Sequence, residues 1–412
     1  MSRSNSLVAR DALTVWVEDE PCGILERTKS GVEFTYSEGY AGQPVATVFP
    51  VREKRFGVSG SNLHPYFANL LPEGARLSAL LRAVKTSKDD LLSLLAVVGR
   101  DAVGYVSVTP RGSPPRKGAP NPQVADRASL TQTSFAELFR QSVDYQNTGY
   151  DPTTVAGVQE KLSASMISFP LGTVLSQGES QAAYILKLSP AAYPYLVENE
   201  AFFMRAARQA GIEVAEVEVV RDCDGHAGLL VKRFDRVLRR GGRKPSLKLR
   251  QEDACQLLDR YPADKYAVSL RDVIEKLNVC DSPIVETAKL MRLYAFSYVI
   301  GNGDLHAKNI SVYFPPKGPV RLTPAYDLLS TFPYGDTRMA LQLDGRDTRF
   351  TRPMLVSFAA RFHVRETITN RLLDEVCDGI PSWIADLEEI GLDAKKTRAL
   401  RAEIESRRDR LV

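Results

Sequence analysis

Near the start of the chain, apolar and polar positions alternate with a period of two, in Leu13 to Val17 (L-T-V-W-V) and Val32 to Tyr36 (V-E-F-T-Y), with glycine- and charge-bearing turns between such runs. That period gives a strand one face for a core and one for water, so these segments predict antiparallel strands. From His64 to Val98 the spacing becomes helical: Phe67, Leu70 and Leu71 share a face, and Leu91, Leu92, Leu94 and Leu95 precede Gly99. Ser87 followed by Asp89 and Asp90 supplies a helix start. Pro110 to Pro122 holds five prolines, two glycines and three basic residues with almost nothing apolar, so it predicts a linker or exposed loop and the first domain boundary. Strand-like runs resume at Ala183 to Leu188 and Val214 to Val220, around a helical pattern from Val197 to Ala210 that Gly211 stops. A further strand, Gly228 to Val231, follows the Asp224-Gly225 turn. Beyond about Glu252 the pattern is almost wholly helical, ending in a charged helix from Ala394 to Arg410. An α+β fold is expected, with a strand-rich middle and a helical remainder forming two lobes around a cleft. No internal repeat is visible.

Composition narrows the class. At 412 residues, 44% hydrophobic and 25% charged, the chain suits two or three packed units. Cys22, Cys223, Cys255, Cys280 and Cys377 are odd in number and far apart, without a C-x-x-C pair. They predict neither disulfides nor zinc, and a reducing, cytoplasmic setting. Met1 to Ala12 lacks the apolar core of a secretory signal, and no run approaches the roughly 18 apolar residues of a membrane span. The formal charge of +4, from 54 basic and 50 acidic residues, gives no global reason to expect nucleic-acid binding. Seven basic residues and no acidic ones fall between Arg236 and Arg250, around Gly241 and Gly242. A solvated mobile loop is the ordinary reading of such a run, and an anion- or partner-binding patch is the alternative.

The chemistry concentrates in Tyr298 to Val312, Y-V-I-G-N-G-D-L-H-A-K-N-I-S-V, where an apolar approach delivers Asp304 and, five residues on, Asn309. Phosphoryl transfer from ATP needs a carboxylate against the attacking hydroxyl and a nearby amide oxygen for a metal, and this spacing supplies both. Asp327, 18 residues beyond Asn309 in L-T-P-A-Y-D-L-L-S, follows another apolar run and suits Mg²⁺. Singly, each aspartate reads as a cap or turn former. Together, in an apolar setting where charge is costly unless paired or metal-bound, they read as a site. His306 could be a general base, a metal ligand or a hydrogen-bonding brace of the loop, and the brace fits best because no zinc spacing surrounds it. Lys308 either neutralises the transferring phosphate or points to solvent. Lys187, in the apolar strand A-Y-I-L-K-L, is either an edge-strand charge or the lysine that reaches the α/β-phosphates, and Glu198 or Glu200 on the next helix could hold it. Thr153 to Lys161 carries a single glycine and by itself reads as an ordinary loop.

Taken together, the motifs resemble the HipA family of serine/threonine protein kinase toxins. V-A-G-V-Q-E-K (Val155 to Lys161), E-N-E (Glu198 to Glu200), K-R-F-D-R (Lys232 to Arg236), Q-E-D-A-C-Q (Gln251 to Gln256), I-G-N-G-D-L-H-A-K-N (Ile300 to Asn309) and L-T-P-A-Y-D (Leu322 to Asp327) occur in that family's order. F-A-N-L-L-P-E-G (Phe67 to Gly74) and V-G-R-D-A-V-G (Val98 to Gly104) are similar to its accessory domain. The likeness spans roughly residues 13 to 385. It implies a two-lobed protein-kinase-like fold with a strand-rich N-terminal accessory domain (1–110), a linker and lead-in (111–150), an N-lobe (151–250) and a mainly helical C-lobe (251–412). It implies ATP and Mg²⁺ as cofactors, Asp304 as proton acceptor, and Asn309 and Asp327 as metal ligands. Ala156, Gly157, Val158, Gln159, Glu160 and Lys161 would cover the phosphates and Lys187 would contact them. The backbone of Lys232, Arg233 and Phe234 would form the adenine hinge, and His306, Lys308 and Tyr326 would complete the nucleotide site. The family's partners are a helix-turn-helix, HipB-like antitoxin, through which alone DNA would be met, and a protein substrate such as an aminoacyl-tRNA synthetase.

The family commonly carries a regulatory serine ahead of the phosphate loop, where this chain has Thr154 after Thr153. A threonine hydroxyl can still accept a phosphate, and about −2 of charge beside the nucleotide would displace the loop. Two other functions compete. One is a lipid or small-molecule kinase, since G-D-L-H-A-K-N is similar to the phosphoinositide-kinase loop. The other is an idle co-repressor scaffold, against which the intact set Lys187, Asp304, Asn309 and Asp327 argues.

Overall fold

The computed structural model describes residues 11–60, 62–84, 86–115, 130–137, 167–174, 181–237 and 247–412. In the N-terminal part, β1 (Ala12–Val17), β2 (Glu20–Arg27), β3 (Gly31–Tyr36), β4 (Arg55–Ser59) and β5 (Val106–Pro110) form an antiparallel sheet in the order β4-β3-β2-β1-β5. The period-two pattern has its expected consequence: Leu13, Val15 and Val17 of β1 and Val32, Phe34 and Tyr36 of β3 point into one core. Helices α1 (Pro65–Ala68), α2 (Gly74–Val84) and α3 (Leu91–Val98) cover that face with Phe67, Leu80, Leu92 and Leu95. The α3 cap is Asp90, whose carboxylate accepts from the Ser93 N–H, whereas Ser87 only turns the chain ahead of it.

The second sheet joins β6 (Ile167–Val174), β7 (Gln181–Leu188), β8 (Val217–Arg221) and β9 (Ala227–Lys232) in the order β6-β7-β9-β8. Between β7 and β8 runs α4 (Leu196–Gln209), which ends where Gly211 takes the left-handed conformation, φ 73°. The predicted strand at Val214 begins late, because Val214 makes only a bridge to Ala325 and the paired strand starts at Val217. The short pair β10 (Arg236–Val237) and β11 (Leu247–Lys248) follows.

The region beyond Glu252 is less purely helical than its pattern predicts. A small sheet, β12 (Arg250–Asp253), β13 (Ser311–Phe314) and β14 (Arg321–Leu322), crosses it. These strands are too short for periodicity to register. Around them lie α5 (Ala254–Leu257), α6 (Leu270–Lys276), α7 (Pro283–Val299), α8 (Arg352–Ala360), α9 (Glu366–Gly379) and α10 (Ala394–Asp409). One continuous core runs from Phe203 on α4 and Leu229 on β9 through Tyr294 on α7 to Ile404 on α10. α10 is charged outside but buries Thr397, Leu400, Ile404 and Arg407 at helical spacing. The architecture is α+β, strand-rich at the N-terminal end and largely helical at the C-terminal end. All five cysteines are free, and no helix among the described residues is long and apolar enough to cross a membrane.

Candidate active site

Lys187 lies on β7, which is paired on both sides, with β6 and with β9. It is therefore no edge-strand charge. Its Nζ meets Glu200 Oε1 of α4 at 2.6 Å and also the carboxylate of Asp327. Burial alone would pull its pKa down, but Asp327 and Glu200 outweigh that and hold it raised. Burial pushes Glu200 up to about 7, because one ammonium serves two carboxylates. Of the two glutamates offered by α4, Glu200 is the one that holds Lys187, and Glu198 is half-buried nearby along the helix. Between them, Asn199 both donates to the Ser330 carbonyl, at 3.0 Å, and accepts from its N–H, at 2.8 Å. That two-point clamp fixes α4 against the segment just after Asp327.

The loop holding Asp304 leaves α7 through Gly301, Asn302 and Gly303. A Cβ on Gly303 would lie 2.6 Å from the Arg338 carbonyl and 2.8 Å from Thr331 Oγ1, so no larger residue fits this passage. Asp304 is fully buried. Its N–H donates to Asn302 Oδ1 at 3.0 Å, its carbonyl accepts from Asn309 Nδ2 at 2.9 Å, and its Oδ1 accepts from the Tyr266 hydroxyl at 2.8 Å. With its NH₂ committed to that carbonyl, Asn309 keeps Oδ1, an uncharged hard oxygen of the kind Mg²⁺ takes.

Asp327 arrives from the other arm of the β13–β14 hairpin. Its neighbour Tyr326 donates to the Lys308 carbonyl at 2.8 Å and touches Ser311 Oγ at 2.6 Å, tying the Asp327 arm to the Asn309 arm. Ala325 pairs with the segment before β8, through Ala215 N–H to Ala325 O at 2.9 Å, so the same arm is anchored to the upper sheet. Asp327 itself has φ 57°, the left-handed region that an aspartate tolerates better than most residues. The donor set, a carboxylate and an amide oxygen on neighbouring arms, fits a divalent hard cation. Asp222, Asp224 and His226 also cluster within 4.8 Å, but there the Asp222 carboxylate accepts the N–H groups of Phe135, Asp224 and His226 as a turn anchor.

The reading of His306 needs correction, and the alternatives for Lys308 narrow. His306 is buried, yet neither ring nitrogen has a protein hydrogen-bond partner among the described residues, so it does not brace the loop that way. Its ring instead packs edge-on to Tyr266, centroids 5.1 Å apart, and burial, followed by the Lys265 charge, holds its pKa well below 6.5. Lys308 does not point to solvent: its Nζ lies 2.7 Å from Glu73 Oε1. The Lys232 side chain turns outward to Glu216, at 2.8 Å. The Phe234 ring stands 5.8 Å from that of Tyr326. The Arg233 side chain donates to the Ala102 carbonyl at 3.0 Å while paired with Asp235. The basic run is committed at its described ends, Arg236 to the carbonyls of Ala102 and Gly104, Lys248 to Ser107, and Arg250 to Glu252. Thr154 and the segment Val155 to Lys161 lie outside the described residues.

The family model described as "HipA-like C-terminal domain" matches residues 153–384, and the "HipA N-terminal domain" matches residues 13–109. The chain belongs to the HipA family. It is 30% identical over 410 residues to "Putative kinase Y4mE" of Sinorhizobium fredii, covering 93% of this chain and 94% of that protein. It is 27% identical over 338 residues to "Serine/threonine-protein kinase toxin HipA" of Shewanella oneidensis, covering 76% and 72%. Its fold matches the HipA, HipB and operator DNA complex of that organism with a TM-score of 0.73 at 23% identity, over 97% of each chain.

In this HipA-family chain the family motifs meet one another across the fold. Gly104, from V-G-R-D-A-V-G, donates its N–H to Asp235 of K-R-F-D-R at 2.8 Å, from 131 residues away. Glu252 of Q-E-D-A-C-Q accepts the Thr47 N–H at 3.0 Å. Reading the sequence left out Tyr266, Lys265 and Glu73. Glu73 and its lysines are separated by 192 residues or more, beyond the reach of any spacing rule. The only available signal was that Glu73 sits inside F-A-N-L-L-P-E-G.

Proposed function

We propose that the chain is an ATP- and Mg²⁺-dependent serine/threonine protein kinase acting as the toxin of a toxin–antitoxin pair. The observation that carries this is Lys187, held between Glu200 of α4 and Asp327 across the two lobes. A lysine ordered by a helix glutamate is what places an ammonium on ATP phosphates in protein kinases. Asp327 and Asn309 would hold Mg²⁺, which would supply positive charge to offset that of the nucleotide phosphates. Lys187 then orients the nucleotide, with Glu200 keeping its ammonium aimed. Asp304 orients the acceptor hydroxyl and takes its proton as oxygen attacks the γ-phosphorus and ADP departs. Tyr266 holds Asp304 through Oδ1, so the hydroxyl would approach either by sharing that oxygen or at Oδ2.

The other assignments rest on the family resemblance. Ala156 to Lys161 would cover the phosphates, the backbone of Lys232 to Phe234 would meet the adenine, and His306 and Tyr326 would line the nucleotide site. Thr154 would be the autophosphorylation site. A HipB-like antitoxin is the proposed partner, since the similar Shewanella HipA is seen with HipB and operator DNA. The proposed acceptor is a translation component such as an aminoacyl-tRNA synthetase. Incubation with labelled ATP and Mg²⁺, followed by phosphoproteomics beside Asp304→Asn, tests the reading. Label on proteins that disappears in the variant supports it, whereas nucleotide binding without transfer supports the idle scaffold.

A further inference from the structure

Two lysines next to the proposed reaction centre, Lys265 buried and Lys308 half-buried, share one carboxylate, and that carboxylate belongs to the accessory domain. Glu73 Oε1 lies 2.7 Å from Lys308 Nζ, and Glu73 Oε2 lies 2.5 Å from Lys265 Nζ. Lys265 is 7% exposed. Each lysine has a neighbour in the chain that matters: Lys308 precedes Asn309, and Lys265 precedes Tyr266, whose hydroxyl donates to Asp304. Lys308 is also fixed at its carbonyl by Tyr326 and at its ammonium by the Asn69 carbonyl, at 3.4 Å. Pro72 precedes Glu73 and α2 begins just after it, so the carboxylate is presented from a stiff segment at a helix N-terminus.

We propose that Glu73 is a positioning residue for phosphoryl transfer, holding Lys265 and Lys308 together so that Tyr266–Asp304 and Asn309 keep their working separation. The proposal rests on the kinase reading above. Glu73 is not needed simply to attach the domain, because Thr47 to Glu252, Asn69 to the Arg260 carbonyl, and Arg233, Asp235 and Arg236 to Ala102 and Gly104 already do so. Without Glu73, Lys265 and Lys308 would lose the carboxylate that bridges them, Lys308 would keep only the more distant influence of Asp253, and the two segments would separate. Displacements of about 1 Å at a reacting centre cost on the order of 100-fold in rate.

The test uses the full chain with labelled ATP, Mg²⁺ and casein. Glu73→Gln keeps the shape and removes the charge, and it should lower kcat by about 10- to 100-fold while KM for ATP stays within about threefold. Glu73→Asp, which restores the charge, should recover most of that loss. Thr47→Ala removes the hydroxyl that donates to Glu252 Oε1 at 3.0 Å, weakening the docking without touching the lysines, and should leave kcat within about twofold of wild type. An unchanged kcat in Glu73→Gln, or equal losses in Glu73→Gln and Thr47→Ala, overturns the proposal. A wild type that labels neither itself nor casein counts against the kinase reading instead. Amide exchange over residues 302–309 then decides the positioning role separately: faster exchange in Glu73→Gln than in Thr47→Ala supports it, and unchanged exchange sinks it.

Discussion

The core of the N-terminal sheet and the surface by which the same domain meets the rest of the chain are made of opposite materials. Inside the sheet, Phe34 packs on Tyr36, Phe49 and Phe67 with ring centroids 4.8, 5.4 and 5.5 Å away. At its outer contact, the buried groups are Arg233, Asp235, Glu252 and Asn69, joined by directed hydrogen bonds. Apolar burial has no preferred direction, so it stabilises without dictating angles. Buried charge contributes little net stability but tolerates few geometries, since a displaced partner leaves an uncompensated ion. The core keeps the domain folded, and the polar contact fixes where the domain sits.

The comparison can be broken from either side. The largest effect belongs to the site: Asp304→Asn should lower transfer by at least about 1,000-fold while ATP affinity stays within a few fold, measured by labelled transfer and titration calorimetry. Asp327→Ala should next abolish the Mg²⁺ dependence of ATP binding, and an unaltered titration would remove Asp327 from the metal site. Phe49→Ala should cost about 3–5 kcal/mol in urea unfolding yet leave kcat per folded molecule unchanged, since it empties core space without turning any polar group. Glu73 offers a pH test. Burial alone would raise its pKa, but Lys308 and Lys265 bring it down from 4.5 to about 2. A lowered carboxylate stabilises above its unfolded pKa and stops doing so as pH falls through the folded one. The stability gap between wild type and Glu73→Gln, on the order of 2–3 kcal/mol, should therefore hold above pH 4.5 and close by about pH 2. The smallest effect is Lys232→Ala, which removes only an exposed pair with Glu216 and should shift stability by less than about 1 kcal/mol.

Much of the fold was legible wherever a period repeated long enough to register. The strands around Leu13, Val32 and Lys187 and the helices from Leu196 and Ala394 stand within a few residues of where alternation and capping place them. β12 to β14 were not legible, because two to four residues carry no period and their pairing joins Glu252 to Val312 across the whole middle of the C-terminal part. In the site, Asp304, Asn309 and Asp327 were visible as an unusual polar set in apolar surroundings. The choice of Glu200 over Glu198 was not, since both occupy the same helix and only the angle of α4 against β7 separates them. The roles of the described ends of the basic run were hidden for a related reason. Composition counts charges but cannot see that Arg236 and Arg250 are consumed by carbonyls and a carboxylate from elsewhere in the chain.

By itself, the sequence determined the fold class, the family, and which few polar residues stand where burial would otherwise forbid them. These depend on local period, on spacing within a loop and on the cost of desolvating charge, all of which are written along a single stretch of chain. Tertiary structure alone decided the partners: Lys187 with Asp327 at 140 residues, Gly104 with Asp235 at 131, and Glu73 with Lys265 at 192. A contact across such distances is set by how elements far apart in the chain come to rest against each other, whether within one core or between two, and no local property of either segment contains that angle.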